Sequence, residues 1–130
     1  MTTANPVWTM EMLDKIGNAE ELEVASLRRD GTLRKLTTIW VVRLGDELYI
    51  RSVRGRGSDW FRGVLDRHEG HIRAGGVARD VTFVEALDPA LNDRIDDAYR
   101  AKYSRYAASI IDAINSPEAR AATLRLVTRA

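Results

Sequence analysis

The sequence predicts a mainly β domain of the α+β class, in which an antiparallel sheet forms the core and helices flank it. From Glu21 onward, apolar and polar residues alternate with a period of two, as in half-buried strands. Turn sequences at residues 30–31, 45–46 and 75–76 interrupt this pattern at hairpin spacing. The apolar run at residues 39–42 indicates a strand buried on both faces, as in the wall of a small closed or half-closed barrel.

Six segments carry the strand pattern, and the second of them, residues 32–44, is the longest. This segment is either a regular strand or a strand with a bulge, and a bulge would turn the side chains that follow it to the opposite face. The last segment predicts a closing strand. In chain order the predicted strands are the stretch from Glu21 to the first turn, residues 32–44, residues 48–53, residues 71–74, residues 77–86 and residues 123–128.

Helices are indicated by capping residues and by apolar residues three or four positions apart. Thr9 and Gly17 bound a short N-terminal helix. A serine at the first position predicts the start of a helix over residues 58–69. An Asp-Pro pair opens the C-terminal helices within residues 88–121.

The chain length of 130 residues fits a single domain, and no internal repeat or linker divides it. We therefore expect one domain of sheet and helices over residues 1–130. It would comprise an N-terminal helix region (1–20), barrel strands with one inserted helix (21–86), C-terminal helices (88–121) and the closing strand (123–128).

Several classes of protein are excluded or disfavoured by composition. The absence of cysteine excludes disulfides, thiolate metal sites and cysteine nucleophiles, so redox chemistry would depend on a bound cofactor. No apolar run approaches the roughly 20 residues of a membrane span, and residues 1–6 lack the blocks of a secretory signal. We therefore expect a cytoplasmic protein with no membrane partner.

Charge is balanced overall but unevenly distributed. The 20 basic and 19 acidic residues argue against nucleic acid as a bulk partner. The segment from Arg28 to Arg79, however, contains twelve basic residues and only six acidic ones. Because arginine dominates this excess and binds phosphate or carboxylate with two parallel hydrogen bonds, the segment is a candidate anion-binding region.

Common catalytic and metal-binding arrangements do not fit the sequence. The only histidines, His68 and His71, lie near no recognisable nucleophile, which argues against a hydrolase triad. Their spacing also differs from that of a metal-binding helix, so we predict no metal site. The tyrosines near the C-terminal helices are interpreted as packing residues.

An anion pocket is predicted where two strand ends meet the start of a helix, within residues 28–62. This region combines a basic turn, from Arg28 to Arg34, with a strand that ends in Arg51 and Ser52. Backbone amides, a hydroxyl, guanidinium groups and the positive end of a helix dipole would then converge on one anion. Trp40 and Trp60 would either flank this pocket or simply pack in the core.

Five stretches together form a recognisable set of motifs that extends from Glu21 to Arg129. They are Ile39-Trp40-Val41-Val42, Tyr49-Ile50-Arg51-Ser52-Val53-Arg54-Gly55, Trp60-Phe61-Arg62, Ala74-Gly75-Gly76 with Arg79-Asp80-Val81-Thr82-Phe83, and Tyr99-Arg100-Ala101-Lys102-Tyr103. The set resembles an uncharacterised bacterial family, a domain of unknown function grouped with the split-barrel proteins that bind FMN or a deazaflavin. The resemblance implies an antiparallel split β-barrel.

The same resemblance implies residues that would hold the cofactor phosphate. Split-barrel proteins use the basic turn before the second strand and the serine end of the third strand. The implied phosphate-binding residues are Arg34, Arg51, Ser52, Arg54 and Gly55.

It also implies where the cofactor ring would lie. The ring would run along Thr37, Thr38 and Trp40. Trp60 and Arg62 match the start of the helix that borders the pocket. The leading hypothesis is accordingly an oxidoreductase that binds FMN or a deazaflavin and forms a homodimer, with no catalytic residue assigned.

Two other hypotheses remain at this point. A binding module on the same barrel could hold a small anionic metabolite with no cofactor. The arginine-rich hairpins beside Trp60 and Phe61 could instead contact single-stranded nucleic acid, although the acidic remainder of the chain argues against it.

Overall fold

The computed structural model describes residues 8–129, which form five α-helices, seven β-strands and one 3-10 turn. The helices are α1 (Met10–Gly17), α2 (Asp59–Arg67), α3 (Pro89–Lys102), α4 (Ala108–Ile114) and α5 (Pro117–Arg120). The strands are β1 (Leu22–Ser26), β2 (Thr37–Ile39), β3 (Val42–Leu44), β4 (Glu47–Arg51), β5 (Glu69–Ala74), β6 (Val77–Glu85) and β7 (Thr123–Thr128). The 3-10 turn, Gly55–Gly57, lies between β4 and α2.

All seven strands form one curled antiparallel sheet in the order β2-β1-β5-β6-β7-β4-β3. The sheet is a half-barrel with flanking helices, so the predicted fold class is confirmed. The β5–β6 hairpin turns at Gly75 and Gly76, whose φ angles of 58° and 83° lie in the region that favours glycine. The two edge strands, β2 and β3, have three residues each and follow one another in the chain.

The prediction of a single long strand over residues 32–44 is wrong. The chain instead makes one isolated bridge at Leu33 and then the two short edge strands, with a break at Trp40 and Val41. At the break, the Tyr103 hydroxyl accepts from the Val41 N–H at 3.2 Å, and Lys102 Nζ donates to the Val41 carbonyl at 2.6 Å. Side chains of the last residue of α3 and of the residue after it therefore replace a neighbouring strand at this point, which a local apolar pattern does not reveal.

The last strand is present but does not close the sheet. β7 lies inside it, where Leu126 is paired with Leu48 of β4 on one side and with Phe83 of β6 on the other. It thus joins the β3–β4 hairpin to the β5–β6 hairpin, and the half-barrel keeps β2 and β3 as its edges.

Two apolar clusters stabilise the fold. The larger one packs α1 and α2 against the sheet, with Leu13, Phe61 and Val64 almost fully buried. The smaller one packs α3 against β3 and β4 through Ile95 and Tyr99. Because both faces of β4 are covered, every side chain of its last four residues is buried.

Among residues 8–129, no helix has both the length and the apolar character that a membrane crossing requires.

Candidate functional site

A cavity of about 460 Å³ opens beside the edge strand β2, the end of β4 and the start of α2. Residues of α4 form another part of its wall. It brings together seven of the ten residues that the sequence singled out: Thr37, Thr38, Trp40, Arg51, Ser52, Arg54 and Trp60. Glu21, Ile39, Val53, Ser58, Ile110 and Ile114 complete the lining.

One wall of the cavity is an aromatic stack. The Trp40 ring lies parallel to Tyr103, with an interplanar angle of 4° and 3.8 Å between ring centroids. Tyr106 packs against the same tryptophan at 4.9 Å in a tilted arrangement. Because Tyr103 is also hydrogen-bonded to the backbone of Val41 and Glu20, the orientation of Trp40 is fixed from behind.

Trp60 lines the same cavity from the first turn of α2. Its ring meets Phe61 edge-on, with 5.8 Å between centroids. Phe61 is fully buried in the main core, whereas Trp60 is only partly buried. Trp60 therefore rests on the core and presents its ring to the cavity.

Two serine hydroxyls and one free arginine form one polar corner of the cavity. Ser52 and Ser58 lie with their Oγ atoms 2.7 Å apart, and the Ser58 hydroxyl also accepts from the Phe61 N–H as the N-cap of α2. Arg54 is exposed and has no ion-pair partner among residues 8–129. This corner thus offers a guanidinium group and two hydroxyls near the positive end of a nine-residue helix.

Gly55 shapes this corner without lining the cavity. Its φ angle of 78° is one that residues with a side chain rarely adopt, and its N–H donates to the Ser52 carbonyl at 3.0 Å. The tight turn returns the chain from β4 toward Ser58, which brings the two serine hydroxyls together.

Arg51 has a different role from the phosphate contact expected of it. Its side chain is 0% exposed, and Nη1 forms a 2.6 Å ion pair with Asp96 of α3. Nη1 also donates to Asn115 and to the Ile114 carbonyl, while Nε donates to Thr123 and Nη2 to Asn92, so every guanidinium nitrogen has an acceptor. The expectation of a direct anion contact is therefore corrected, because the guanidinium group is fully used in joining β4 to α3 and to the segment after α4.

The remaining two predicted residues, Arg34 and Arg62, lie outside the cavity. Both line a neighbouring groove, which shares Thr37 and Trp60 with the cavity. Arg34 pairs with Asp66 at 3.0 Å, and Arg62 pairs with Asp59 at 3.2 Å. The structure thus divides the predicted basic site into two adjoining parts.

Sequence reasoning missed the contribution of α4 and of the carboxylate at Glu21. Ile110 and Ile114 are four residues apart on α4 and present one apolar face to the cavity. The spacing was visible in the sequence, but nothing local indicated that this face would meet β4. The partner of Arg51 left a clearer signal, since Asn92 and Asp96 interrupt the buried face of α3 beside Ile95 and Tyr99.

Burial and hydrogen bonding shift the pKa of several groups behind the Trp40 wall. Burial lowers the pKa of Lys102 from 10.5 to about 8, partly opposed by the negative charge of Glu20. Burial also raises the pKa of Tyr103. The hydrogen bond from the Tyr106 hydroxyl, together with Arg105, lowers the pKa of Glu20. At neutral pH the hydroxyls of Tyr103 and Tyr106 are therefore protonated, and the Glu20 carboxylate is ionised.

No three His, Asp or Glu side chains within residues 8–129 are grouped so that they could hold a metal ion.

The sequence model of a bacterial family described as "Uncharacterized protein conserved in bacteria (DUF2255)" matches residues 12–126. The chain belongs to this family. No curated protein matches it.

Solved structures with the same fold are distant in sequence. A conserved hypothetical protein from Mycobacterium tuberculosis has a TM-score of 0.70 at 15% identity, over 100% of this chain and 86% of that one. An F420 reductase has a TM-score of 0.57 at 15% identity, over 90% of each chain. An FAD and heme binding protein from Mycobacterium smegmatis has a TM-score of 0.51 at 22% identity, over 93% of this chain and 66% of that one. At these identities the likeness concerns the fold alone.

Proposed function

We propose that the cavity binds the ring system of a flavin or deazaflavin and that the protein is a cofactor-dependent oxidoreductase. The observation that carries this proposal is the combination, in one cavity, of an aromatic wall and a free cationic corner. Structures with this fold include an F420 reductase and an FAD and heme binding protein, which supports the same class of ligand.

The residues present fit such a cofactor. A volume of about 460 Å³ lies within the usual range of roughly 300–1,000 Å³ for small-molecule pockets. The ring would lie along Thr37 and Thr38 between Trp40 and Trp60. The phosphate would be held by Arg54, with the Ser52 and Ser58 hydroxyls beside it.

A flavin-type ring fits the lining better than heme does. Neither of the two histidines lines the cavity, because His68 ends α2 and His71 on β5 is hydrogen-bonded to Asp80 at 2.9 Å. The cavity therefore offers no imidazole to a heme iron.

The protein's own contribution would be orientation and exclusion of water. When bound, a flavin or deazaflavin supplies hydride transfer. The apolar side chains of Ile110 and Ile114 would keep water from one side of the ring, and Trp40 would hold its plane. The buried Arg51 acts as a positioning residue, since it holds the end of β4 from which Ser52 and Arg54 extend.

A homodimer is the form we propose for the working protein. Val53 and Ile110, both about half exposed, stand at the cavity and would be covered by a second subunit. Light scattering on the purified protein should give a mass near twice 14.6 kDa. A monomeric mass at the concentrations used for cofactor binding would contradict this part of the proposal.

The test is a titration of the purified protein with FMN and with F420, followed by visible absorption. We expect a shifted spectrum and saturable binding with at least one of them. Arg54→Ala should weaken binding about tenfold, the value of one charge-assisted hydrogen bond to phosphate. Arg94→Ala is the matched control, because Arg94 is also exposed without an ion-pair partner in the described chain but does not line the cavity.

The proposal fails if neither cofactor binds, or if Arg54→Ala and Arg94→Ala bind equally well. Binding of inorganic phosphate without either cofactor would favour the cofactor-free anion-binding module instead.

A further inference from the structure

A groove of about 870 Å³ adjoins the cavity and has a different character. The two share Thr37 and Trp60 as a common wall. The groove runs between the β1–β2 connection and α2, whereas the cavity lies toward β4 and α4. A ligand that stacks beside Trp60 can therefore extend into the groove without leaving the protein surface.

The groove has an excess of positive charge. Its lining contains four cationic side chains, Arg28, Arg34, Lys35 and Arg62, against two carboxylates, Asp59 and Asp66. The net charge of the lining is thus +2. Since Arg34 and Arg62 each use one donor on these carboxylates, the two acids leave most of the guanidinium N–H groups available.

The cations are held in place or are free of competing partners. Arg28 Nη1 donates to the Leu33 carbonyl at 2.7 Å, which fixes its side chain across the loop. Lys35 is exposed and has no ion-pair partner among residues 8–129. The Arg34 Nε atom is buried and has no hydrogen-bond acceptor within the same described segment. Because Nε is packed against Gly63, a ligand in the groove would meet the terminal nitrogens of Arg34.

The close approach of α2 to Arg34 depends on Gly63. A Cβ atom at that position would lie 2.9 Å from the Arg34 Cδ and Nε atoms and 2.4 Å from the Ser26 hydroxyl. The absence of a side chain at Gly63 lets α2 pack directly against the stem of Arg34. The floor of the groove is therefore closely packed.

We propose that this groove is a second anion site and that the ligand is an extended cofactor. Its ring occupies the cavity, its first phosphate meets Arg54, and a second phosphate or a carboxylate group lies among Lys35, Arg34 and Arg62. The inference rests on the proposed function and names the class of cofactor: one with an anionic extension, in preference to a mononucleotide. A ligand with a single phosphate at Arg54 would place no negative charge in the groove, whose lining carries a net charge of +2.

The experiment compares the affinities of three probes for the full chain. FMN has one phosphate and no extension, FAD has a diphosphate-linked extension, and F420 has an extension that ends in carboxylates. We expect FAD or F420 to bind at least about tenfold more tightly than FMN, the value of one additional charge-assisted contact. Which of the two binds more tightly distinguishes a phosphate-bearing from a carboxylate-bearing extension.

The decisive variant is Lys35→Ala combined with Arg62→Ala. Arg62 makes only an exposed i,i+3 pair with Asp59, so its removal should leave the fold intact. The double variant should lose about tenfold or more in affinity for the extended cofactor and keep the affinity for FMN within about twofold. Lys15→Ala with Arg100→Ala is the matched control, because Lys15 and Arg100 also form exposed helical pairs and line neither the cavity nor the groove.

The outcomes separate this inference from the proposed function. If FMN binds as tightly as FAD and F420, or if the double variant behaves like its control, the second anion site is refuted while the cofactor cavity stands. If none of the three probes binds, the proposed function fails and the inference fails with it.

Discussion

Replacing Asp96 by Asn should destabilise the fold by about 3–5 kcal/mol, the usual cost of breaking a buried ion pair by removing one partner. The reason is the position of Arg51, whose side chain is 0% exposed and whose Nη1 lies 2.6 Å from the Asp96 carboxylate. The Asn side chain has nearly the same shape, so the substitution removes the negative charge with little change in packing. The guanidinium group keeps its neutral acceptors at Asn92, Asn115 and Thr123 but has no counter-ion.

A close control lies one helical turn away. Asp93 pairs with Arg120 at 3.0 Å, and the same Arg120 also reaches Asp96 at 2.6 Å. The Asp93 side chain is 73% exposed, however, and that of Asp96 only 10%. Asp93→Asn should therefore cost about 0–1 kcal/mol, as surface ion pairs do.

The stabilities of the unmodified protein, Asp96→Asn and Asp93→Asn can be compared by urea unfolding, followed by circular dichroism. The free energy of unfolding should fall sharply for Asp96→Asn and little for Asp93→Asn, with an unchanged dependence on urea concentration. Equal losses in the two variants, or a loss below about 1 kcal/mol for Asp96→Asn, would refute the view that Arg51 is a buried structural residue that needs this counter-ion.

Two further predictions concern the turn beside the cavity and the break in the sheet edge. Gly55→Ala should cost about 1–2 kcal/mol, because alanine is strained at a φ of 78°; Gly57→Ala, at a position with open space and no such φ, is the control, and equal unfolding midpoints would contradict the argument. Stability should rise between about pH 8 and pH 10, since the pKa of Lys102 falls from 10.5 to about 8 on folding and the unfolded chain binds more protons in that interval. In Lys102→Met this rise should be smaller, and an unchanged slope of unfolding free energy against pH would show that another group causes it.

The elements that depend on local signals were predictable from the sequence. Ser58 caps α2 as expected, and its hydroxyl accepts from the Phe61 N–H. The Asp88 side chain caps α3 in the same way, with proline at the first helical position. Such signals involve neighbours in the chain, so no tertiary information is needed to read them.

The candidate site was predictable only in part, because its side chains depend on distant partners. Tyr49 and Arg51 are two residues apart in β4 and therefore share a face, but alternation along the strand could not show that α3 covers that face. An arginine at a strand end looks the same in the sequence whether it meets a ligand or a buried carboxylate 45 residues away. The break at Val41 was missed for the same reason, since Tyr103 and Lys102 satisfy its backbone from 61 or 62 positions away.

The cavity's proposed occupant can be tested directly through the three tryptophans of the chain. Each gives one indole N–H signal in a ¹H–¹⁵N correlation spectrum. Trp40 and Trp60 line the cavity, whereas Trp8 is buried elsewhere and donates to the Leu126 carbonyl at 3.0 Å. Addition of FMN, FAD or F420 should shift the signals of Trp40 and Trp60 and leave that of Trp8 in place. No shift with any of the three, or equal shifts of all three signals, would contradict a flavin-type ligand in this cavity.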